Sequence, residues 1–129
     1  MRGSLVALDT NVVVSHFRDP EAYSNAMLAH ELYLPVTVIA ELRGGAKRSR
    51  RPEYQDSLID QFLDSVDVLY TDLETAKVYG DLWGELAAKG KMIPTNDIWI
   101  AASAIQHGLK LITNDAHFGY VAGLEHESW

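Results

Sequence analysis

The chain has 129 residues, a formal net charge of −7 at pH 7 and no cysteine. That length is enough for one domain with a substantial core, and the lack of cysteine excludes disulfides and metal sites built on thiolates. No apolar run approaches the about 18 residues that a membrane span requires, so we expect no membrane segment. A reducing cytoplasm is the expected location and fits the lack of cysteine, although that lack is compatible with any compartment.

Basic residues are concentrated in one short stretch, although the protein as a whole is acidic. Five of the 11 lysines and arginines lie between positions 43 and 51: Arg43, Lys47, Arg48, Arg50 and Arg51. Phosphate contacts usually require a positive surface, so this basic stretch is a candidate for binding a polyanion locally. A solvated helix end without a binding role explains the same residues equally well. The acidic remainder suits a basic partner.

The first half of the chain predicts two strand–helix units. Residues 5–8 are all apolar, as in a buried parallel strand, and Asp9-Thr10-Asn11 is suited to capping a following helix. A second helix is predicted over 22–32 and a second strand over 33–36. The apolar spacing that follows a helix cap at Thr37 predicts a third helix.

The second half continues this alternation. Apolar residues at helical spacing cover 53–64, and Thr71 with Glu74 has the spacing of a capping box for a helix that runs to about Gly90. A further helix opens at Asp97 and ends before Gly108, a residue suited to the position after a helix. Strands are predicted over 66–70, 109–112 and 121–124.

Alternating strands and helices predict an α/β fold with a mainly parallel sheet of four or five strands, covered by helices on both faces. We expect one domain over residues 1–129. Ligands of such sheets bind beyond the carboxyl ends of the strands. Asp9 and Asp115 each follow a predicted strand, so the functional site is expected at that edge.

Four carboxylates are candidates for the site, although each also has a purely structural explanation. Asp9 is placed to cap a helix, Glu41 borders an apolar helix stripe, Asp97 lies in a first helical turn and Asp115 lies in a turn. Together they offer only oxygen ligands, which favours Mg²⁺ or Mn²⁺. A hard cation of this kind suits the hydrolysis of phosphodiester bonds.

Four segments resemble the signature motifs of PIN-domain nucleases, in particular the VapC-type toxins of toxin–antitoxin pairs. They are 6–12 (VALDTNV), 38–42 (VIAEL), 96–102 (NDIWIAA) and 111–118 (LITNDAHF), in the family's order. The resemblance implies a PIN-like three-layer α/β/α fold and a metal site formed by four acidic residues, Asp9, Glu41, Asp97 and Asp115. It also implies that Thr113 lies beside the metal ion and that Asn11 shapes the site.

The same resemblance implies an activity and partners. The activity is endonucleolytic cleavage of single-stranded RNA with Mg²⁺, or Mn²⁺ as a substitute, leaving a 5′-phosphate. The expected partners are the RNA substrate and a VapB-like antitoxin whose basic segment would cover the acidic groove. A homodimer is expected as well.

Substrate contacts are assigned to Arg43, Lys47 and Arg48, because the basic stretch begins just after Glu41. The sequence offers no evident general base. We interpret three histidines, His16, His107 and His117, as structural or surface residues. His117 is the strongest exception, since it lies two residues beyond Asp115.

Two other functions are compatible with the sequence. The first is a non-catalytic PIN-like module that binds RNA or a protein. The second is a phosphohydrolase in which Asp9 acts as a nucleophile. Such enzymes usually have a second carboxylate two residues further on, where this chain has Asn11, and the second alternative is therefore disfavoured.

Overall fold

A computed structural model of the chain describes residues 4–129. Its strands are β1 (Leu5–Leu8), β2 (Glu31–Pro35), β3 (Asp67–Leu69), β4 (Lys110–Ile112) and β5 (His126–Glu127). Its helices are α1 (Thr10–Arg18), α2 (Pro20–Ala29), α3 (Val36–Lys47), α4 (Pro52–Leu63), α5 (Leu73–Ala88) and α6 (Thr95–Gln106), and a 3-10 helix covers Ala116–Tyr120.

Within the described residues, the five strands form one parallel sheet in the order β3-β2-β1-β4-β5. Val6 of the central strand β1 pairs with Leu32 of β2 on one side and with Lys110 of β4 on the other. The six helices flank this sheet, which confirms the predicted three-layer α/β/α fold. Because all strands run in the same direction, the residues that follow β1, β2 and β4 meet at one edge.

The central strands and α6 form the core. Val6, Ala7 and Leu8 of β1 are at most 1% exposed. In α6, Ile98 and every residue from 100 to 104 are buried, as expected of a helix whose middle is mainly apolar. Among residues 4–129, no helix combines the length and apolar character that crossing a membrane requires.

The boundaries around β2 differ from the predicted ones. Helix α2 ends at Ala29, and the next residue, His30, is already extended with φ −128° and ψ 158°. The strand therefore begins at Glu31, which pairs with Leu5 of β1. Helix α3 follows directly at Val36, and Pro35 occupies the cap position that was predicted for Thr37.

The capping box of α5 uses the residues next to the predicted pair, because the helix begins one residue later, at Leu73. Asp72 accepts a hydrogen bond of 3.0 Å from the Thr75 amide, and the Thr75 hydroxyl accepts one of 3.0 Å from the Asp72 amide. Gln106 of α6 donates its side-chain amide to Asp72 at 2.9 Å. The cap thereby ties α5 to α6.

The fifth strand lies at His126–Glu127, and the prediction of a strand over 121–124 is wrong. Val121 is buried directly after the 3-10 helix, and Gly123 turns the chain at a φ of +83°. Both residues of β5 are exposed, so no apolar alternation marks this strand in the sequence.

Truncating a core leucine tests the packing of the sheet. Leu34 of β2 is 0% exposed, so Leu34→Ala leaves a cavity. We expect the free energy of unfolding to fall by about 2–5 kcal/mol, measured by urea denaturation. The matched control is Leu28→Ala at a position in α2 that is 75% exposed, where we expect a change within about 0.5 kcal/mol. Equal losses in the two variants would contradict the described packing.

Candidate active site

The predicted site residues lie at the carboxyl edge of the sheet. Asp9 follows β1, while Thr113 and Asp115 follow β4. Glu41 lies in α3, the helix that follows β2, and Asp97 lies in the first turn of α6. Since β2 and β4 flank β1, the elements that bear these groups converge on the end of the central strand.

Asp9 is the innermost carboxylate and is 4% exposed. One oxygen accepts a hydrogen bond of 2.8 Å from the backbone amide of Thr10, which makes Asp9 the cap of α1. The other oxygen accepts 2.7 Å from the Thr113 hydroxyl and 3.1 Å from the Asn11 side-chain amide. Three donors therefore fix this carboxylate in one orientation.

Asn11 and Thr113 also organise the loop after β4. The side-chain oxygen of Asn11 accepts a hydrogen bond of 3.2 Å from the backbone amide of Asn114. The Thr113 hydroxyl accepts one of 3.0 Å from the Asp115 amide while donating to Asp9. Both residues act on the site by positioning its carboxylates.

Glu41 is connected to Asp9 through Thr10, a residue that the sequence marked only as part of a helix cap. The Thr10 hydroxyl donates a hydrogen bond of 2.7 Å to Glu41 Oε1. The Thr10 backbone amide also donates a hydrogen bond to Asp9, so the same residue contacts both carboxylates. The feature of the sequence that could have revealed this role is the position of Thr10, a hydroxyl residue directly after Asp9.

His117 lies between Asp97 and Asp115, which corrects its interpretation as a structural or surface residue. Its Nε2 is 2.7 Å from Asp97 Oδ2, and its Nδ1 is 3.0 Å from Asp115 Oδ1. Ligand atoms of these three residues lie within 4.8 Å of one another, close enough to share a metal ion. The 3-10 helix that starts after Asp115 brings the histidine back over the site.

The other two histidines lie outside this cluster. His16 packs against Phe17 and Phe62 at ring-centroid distances of 6.2 and 5.7 Å, and burial lowers its pKa. His107 is exposed at the end of α6. Their interpretation as structural and surface residues agrees with these positions.

Burial raises the pKa of Asp9 above its ordinary value. Hydrogen bonds from Thr113 and Thr10 oppose this effect, whereas the negative charges of Asp97 and Glu41 add to it. A carboxylate that is both buried and close to other carboxylates is costly to ionise.

Asp97 is in a similar position, since burial is the largest cause of its raised pKa. The hydrogen bond and charge of His117 lower that pKa, while Glu41 and Asp115 raise it. Asp97 is therefore repelled by the negative charges of both Glu41 and Asp115. A divalent cation would relieve this repulsion, and the oxygen-rich donor set fits such an ion.

The basic stretch is partly occupied by intramolecular ion pairs. Arg43 lies 3.1 Å from Asp56 and 2.6 Å from Asp60, both on α4, so it holds α3 against α4. The Lys47 side chain is 77% exposed and lies 3.9 Å from Asp56, and Arg48 is exposed. The substrate contacts assigned to Arg43, Lys47 and Arg48 stay a prediction.

Comparisons with known proteins agree with this architecture. The PIN-domain family profile matches residues 6–124. Ribonuclease VapC2 of Rickettsia felis is 33% identical over 128 residues, covering 95% of this chain and 96% of the relative. Ribonuclease VapC2 of Haemophilus influenzae is 35% identical over 126 residues, covering 95% and 96%. The crystal structure of VapBC2 from Rickettsia felis bound to a promoter DNA fragment matches with a TM-score of 0.91 at 30% identity, covering 97% of this chain and 98% of that chain.

The chain belongs to the PIN-domain family and, within it, to the VapC ribonucleases. This confirms the family resemblance noted in the four sequence segments.

The raised pKa of Asp97 predicts an unusual dependence of stability on pH. A carboxyl group whose pKa is higher in the folded state stabilises the protein at low pH, and that contribution is lost as the pH rises through the folded-state pKa. In the absence of metal, Asp97→Asn should therefore lose less stability than wild type between about pH 4 and pH 7. At pH 7 we expect its Tm to be about 4 °C higher, because about 1 kcal/mol of desolvation cost and repulsion at the Asp97 carboxylate is removed. Thermal denaturation in EDTA across a pH series measures this.

Asp81→Asn is the matched control, because Asp81 is an exposed aspartate of α5 and its loss changes the net charge equally. Asp9 is less suitable than Asp97, since an asparagine amide at position 9 would meet the donor group of Asn11. Equal Tm changes in Asp97→Asn and Asp81→Asn would contradict a local cost of ionising Asp97 in the site.

Proposed function

We propose that the chain is a divalent-metal-dependent endoribonuclease that hydrolyses phosphodiester bonds in single-stranded RNA and serves as the toxin of a toxin–antitoxin pair. Membership of the VapC ribonucleases supports the endoribonuclease activity. The observation that carries the metal dependence is the acidic site itself, where the buried Asp9 and the partly buried Asp97 repel each other and His117 contacts both Asp97 and Asp115. Mg²⁺ is the proposed ion, with Mn²⁺ as a substitute.

Asp9, Glu41, Asp97 and Asp115 are the proposed ligands. When bound, the ion would polarise a phosphoryl oxygen of the substrate and lower the pKa of a water molecule. Asp9 forms the closed inner wall, the Asp97 side chain is 16% exposed and that of Asp115 is 38% exposed. The scissile phosphate therefore approaches from the side of Asp115.

Positioning residues complete the arrangement. Thr113 and Asn11 hold Asp9 in place, and Thr10 holds Glu41. His117 contacts one oxygen of Asp97 and one of Asp115, and this fixes the orientation of both. Side chains that are fixed in this way need little rearrangement when the substrate binds.

The two alternative functions fit the site less well. A module that only binds RNA or protein has no need for mutually repelling carboxylates at buried and partly buried positions, which lower its stability. A phosphohydrolase with Asp9 as nucleophile usually has a second carboxylate two residues further on. Asn11 occupies that position and donates its side-chain amide to Asp9 at 3.1 Å.

We propose a VapB-like antitoxin as the protein partner, in line with the VapBC2 structure that this chain resembles. The net charge of −7 and the acidic site complement a basic inhibitory segment. A cytoplasmic location belongs to the same proposal, as expected for a protein that acts on cellular RNA. We also propose that the chain forms a homodimer.

RNA cleavage tests the proposed activity. The purified chain should cleave a fluorescently labelled single-stranded RNA with Mg²⁺ or Mn²⁺, resolved on denaturing gels. Cleavage should stop in excess EDTA and return when Mg²⁺ is restored. Asp115→Asn should abolish cleavage, because it removes a proposed ligand at the open side of the site.

The exposed control variant Asp81→Asn, purified in parallel, should retain full activity and exclude a contaminating nuclease. Activity that persists in EDTA, or that survives Asp115→Asn, would contradict the proposed metal-dependent mechanism.

The exposed part of the basic stretch is proposed to bind RNA phosphates. Replacing Lys47 and Arg48 with glutamine should raise KM with little change in kcat, since binding and not chemistry is affected. The salt dependence of binding should become flatter by about 0.7 in slope for each lost contact with single-stranded RNA. Steady-state kinetics across a salt series measures both quantities.

Lys77→Gln on α5 is the control, since Lys77 is exposed and lies outside the basic stretch. If its effect on KM equals that of the double substitution, general electrostatics explains the result and the basic stretch has no specific role. Arg43→Gln is expected to lower the Tm instead, because Arg43 pairs with Asp56 and Asp60.

A further inference from the structure

Helix α3 contains two consecutive glycines, Gly44 and Gly45, at positions where the backbone conformation would also allow other residues. Both lie inside the helix at Val36–Lys47, and neither has a positive φ. A Cβ atom added at either position would meet no atom within 4 Å. Because glycine weakens a helix interior relative to alanine, folding alone would favour a larger residue at both positions.

Gly45, but not Gly44, lines a cavity of about 470 Å³ between α1, α3 and α4. This volume lies within the range of about 300–1,000 Å³ that is typical of small-ligand sites. Thr10 and Glu41 line the same cavity, and they are joined by the 2.7 Å hydrogen bond of the candidate active site. The cavity therefore borders the candidate active site at Glu41, one of the proposed metal ligands.

The cavity lining combines apolar surface with groups that can recognise a nucleobase. Phe17 is one of several apolar side chains on its walls, and Gln55 offers both a donor and an acceptor. Tyr54 lines the cavity and is 47% exposed, so the ring face that Arg51 does not cover can stack with a base. The Arg51 guanidinium lies 4.4 Å from the centroid of that ring, and Arg18 is a further cation in the lining.

We propose that this cavity binds an unpaired nucleobase of the RNA, from a nucleotide that neighbours the scissile phosphate, and that Gly45 keeps the cavity open for it. The proposal rests on the proposed ribonuclease function and adds a base-binding subsite to it. Bases of single-stranded RNA are bound in this way by stacking on aromatic side chains and by hydrogen bonds to their edges.

Two observations favour RNA over a protein segment as the occupant. Glu41, a proposed metal ligand, lines the cavity, so a strand whose phosphate lies at the carboxylates can reach the cavity with an adjacent nucleotide. Arg18 and Arg51 supply positive charge around the cavity of an otherwise acidic protein, and this charge complements phosphate groups.

Gly45→Leu and Gly44→Leu form a matched pair of variants for the test. Both replace a helical glycine with a better helix former where space is open, so both should fold and have a higher Tm than wild type. Only the leucine at position 45 would fill the cavity. Fluorescence anisotropy then measures the Kd of a labelled single-stranded 2′-O-methyl RNA and of a matching strand that lacks all bases, both in buffer with Ca²⁺.

Gly45→Leu should weaken binding of the base-containing strand about tenfold, the loss expected for one stacked base. Its affinity for the strand without bases should stay at the wild-type value, and Gly44→Leu should bind both strands as wild type does. Tyr54→Leu should also weaken binding of the base-containing strand, and a 2-aminopurine in that strand should lose the quenching that stacking produces with wild type.

Equal affinities of wild type and Gly45→Leu for the base-containing strand would overturn the proposal. So would a weakened complex of Gly45→Leu with a co-expressed VapB-like antitoxin, if RNA affinity is unchanged, because the cavity would then accept a protein segment. Failure of the ribonuclease function is distinguishable: wild type would then bind the base-containing strand in the expected pattern but leave unmodified RNA intact with Mg²⁺. If wild type binds neither strand, the subsite is overturned directly.

Discussion

Thr113 donates a hydrogen bond of 2.7 Å to the carboxylate of Asp9, and both residues are almost completely buried. The two residues are 104 positions apart in the chain, so this contact joins the ends of β1 and β4 at the centre of the sheet. Asp9 also caps α1 through the Thr10 amide. The register of the central strands, the start of the first helix and the position of the innermost carboxylate thus depend on one buried group.

The fold uses its core to hold together charges that repel. Asp9 follows the completely buried end of β1, and Asp97 is anchored by α6, whose next residues are buried. Neither carboxylate can move away from its neighbours without disturbing well-packed apolar residues. Repulsion between them is therefore retained in the folded state. A bound cation would offset this repulsion, whereas the protein alone retains its cost.

Local patterns predicted the central sheet and the strand-end aspartates, since buried strands are apolar runs with a polar residue where they emerge. They failed where a side chain's role depends on how distant elements pack. His117 reaches the site through a 3-10 turn that has no apolar signature. Arg43 was counted with the basic stretch, yet its partners Asp56 and Asp60 belong to the next helix and meet it only when α3 packs on α4. The fifth strand has no buried residue to reveal it.

The burial of α6 has a consequence for how proteins with this fold diversify. Residues 100–104 are buried without interruption and four of the first eight residues of this helix are alanine or isoleucine in the core, so nearly any change of size there disturbs packing. The connection at 48–51 is short, largely exposed and free of such constraints. Substitutions along the α3–α4 edge can therefore change the surface beside the candidate site while its carboxylates stay where they are.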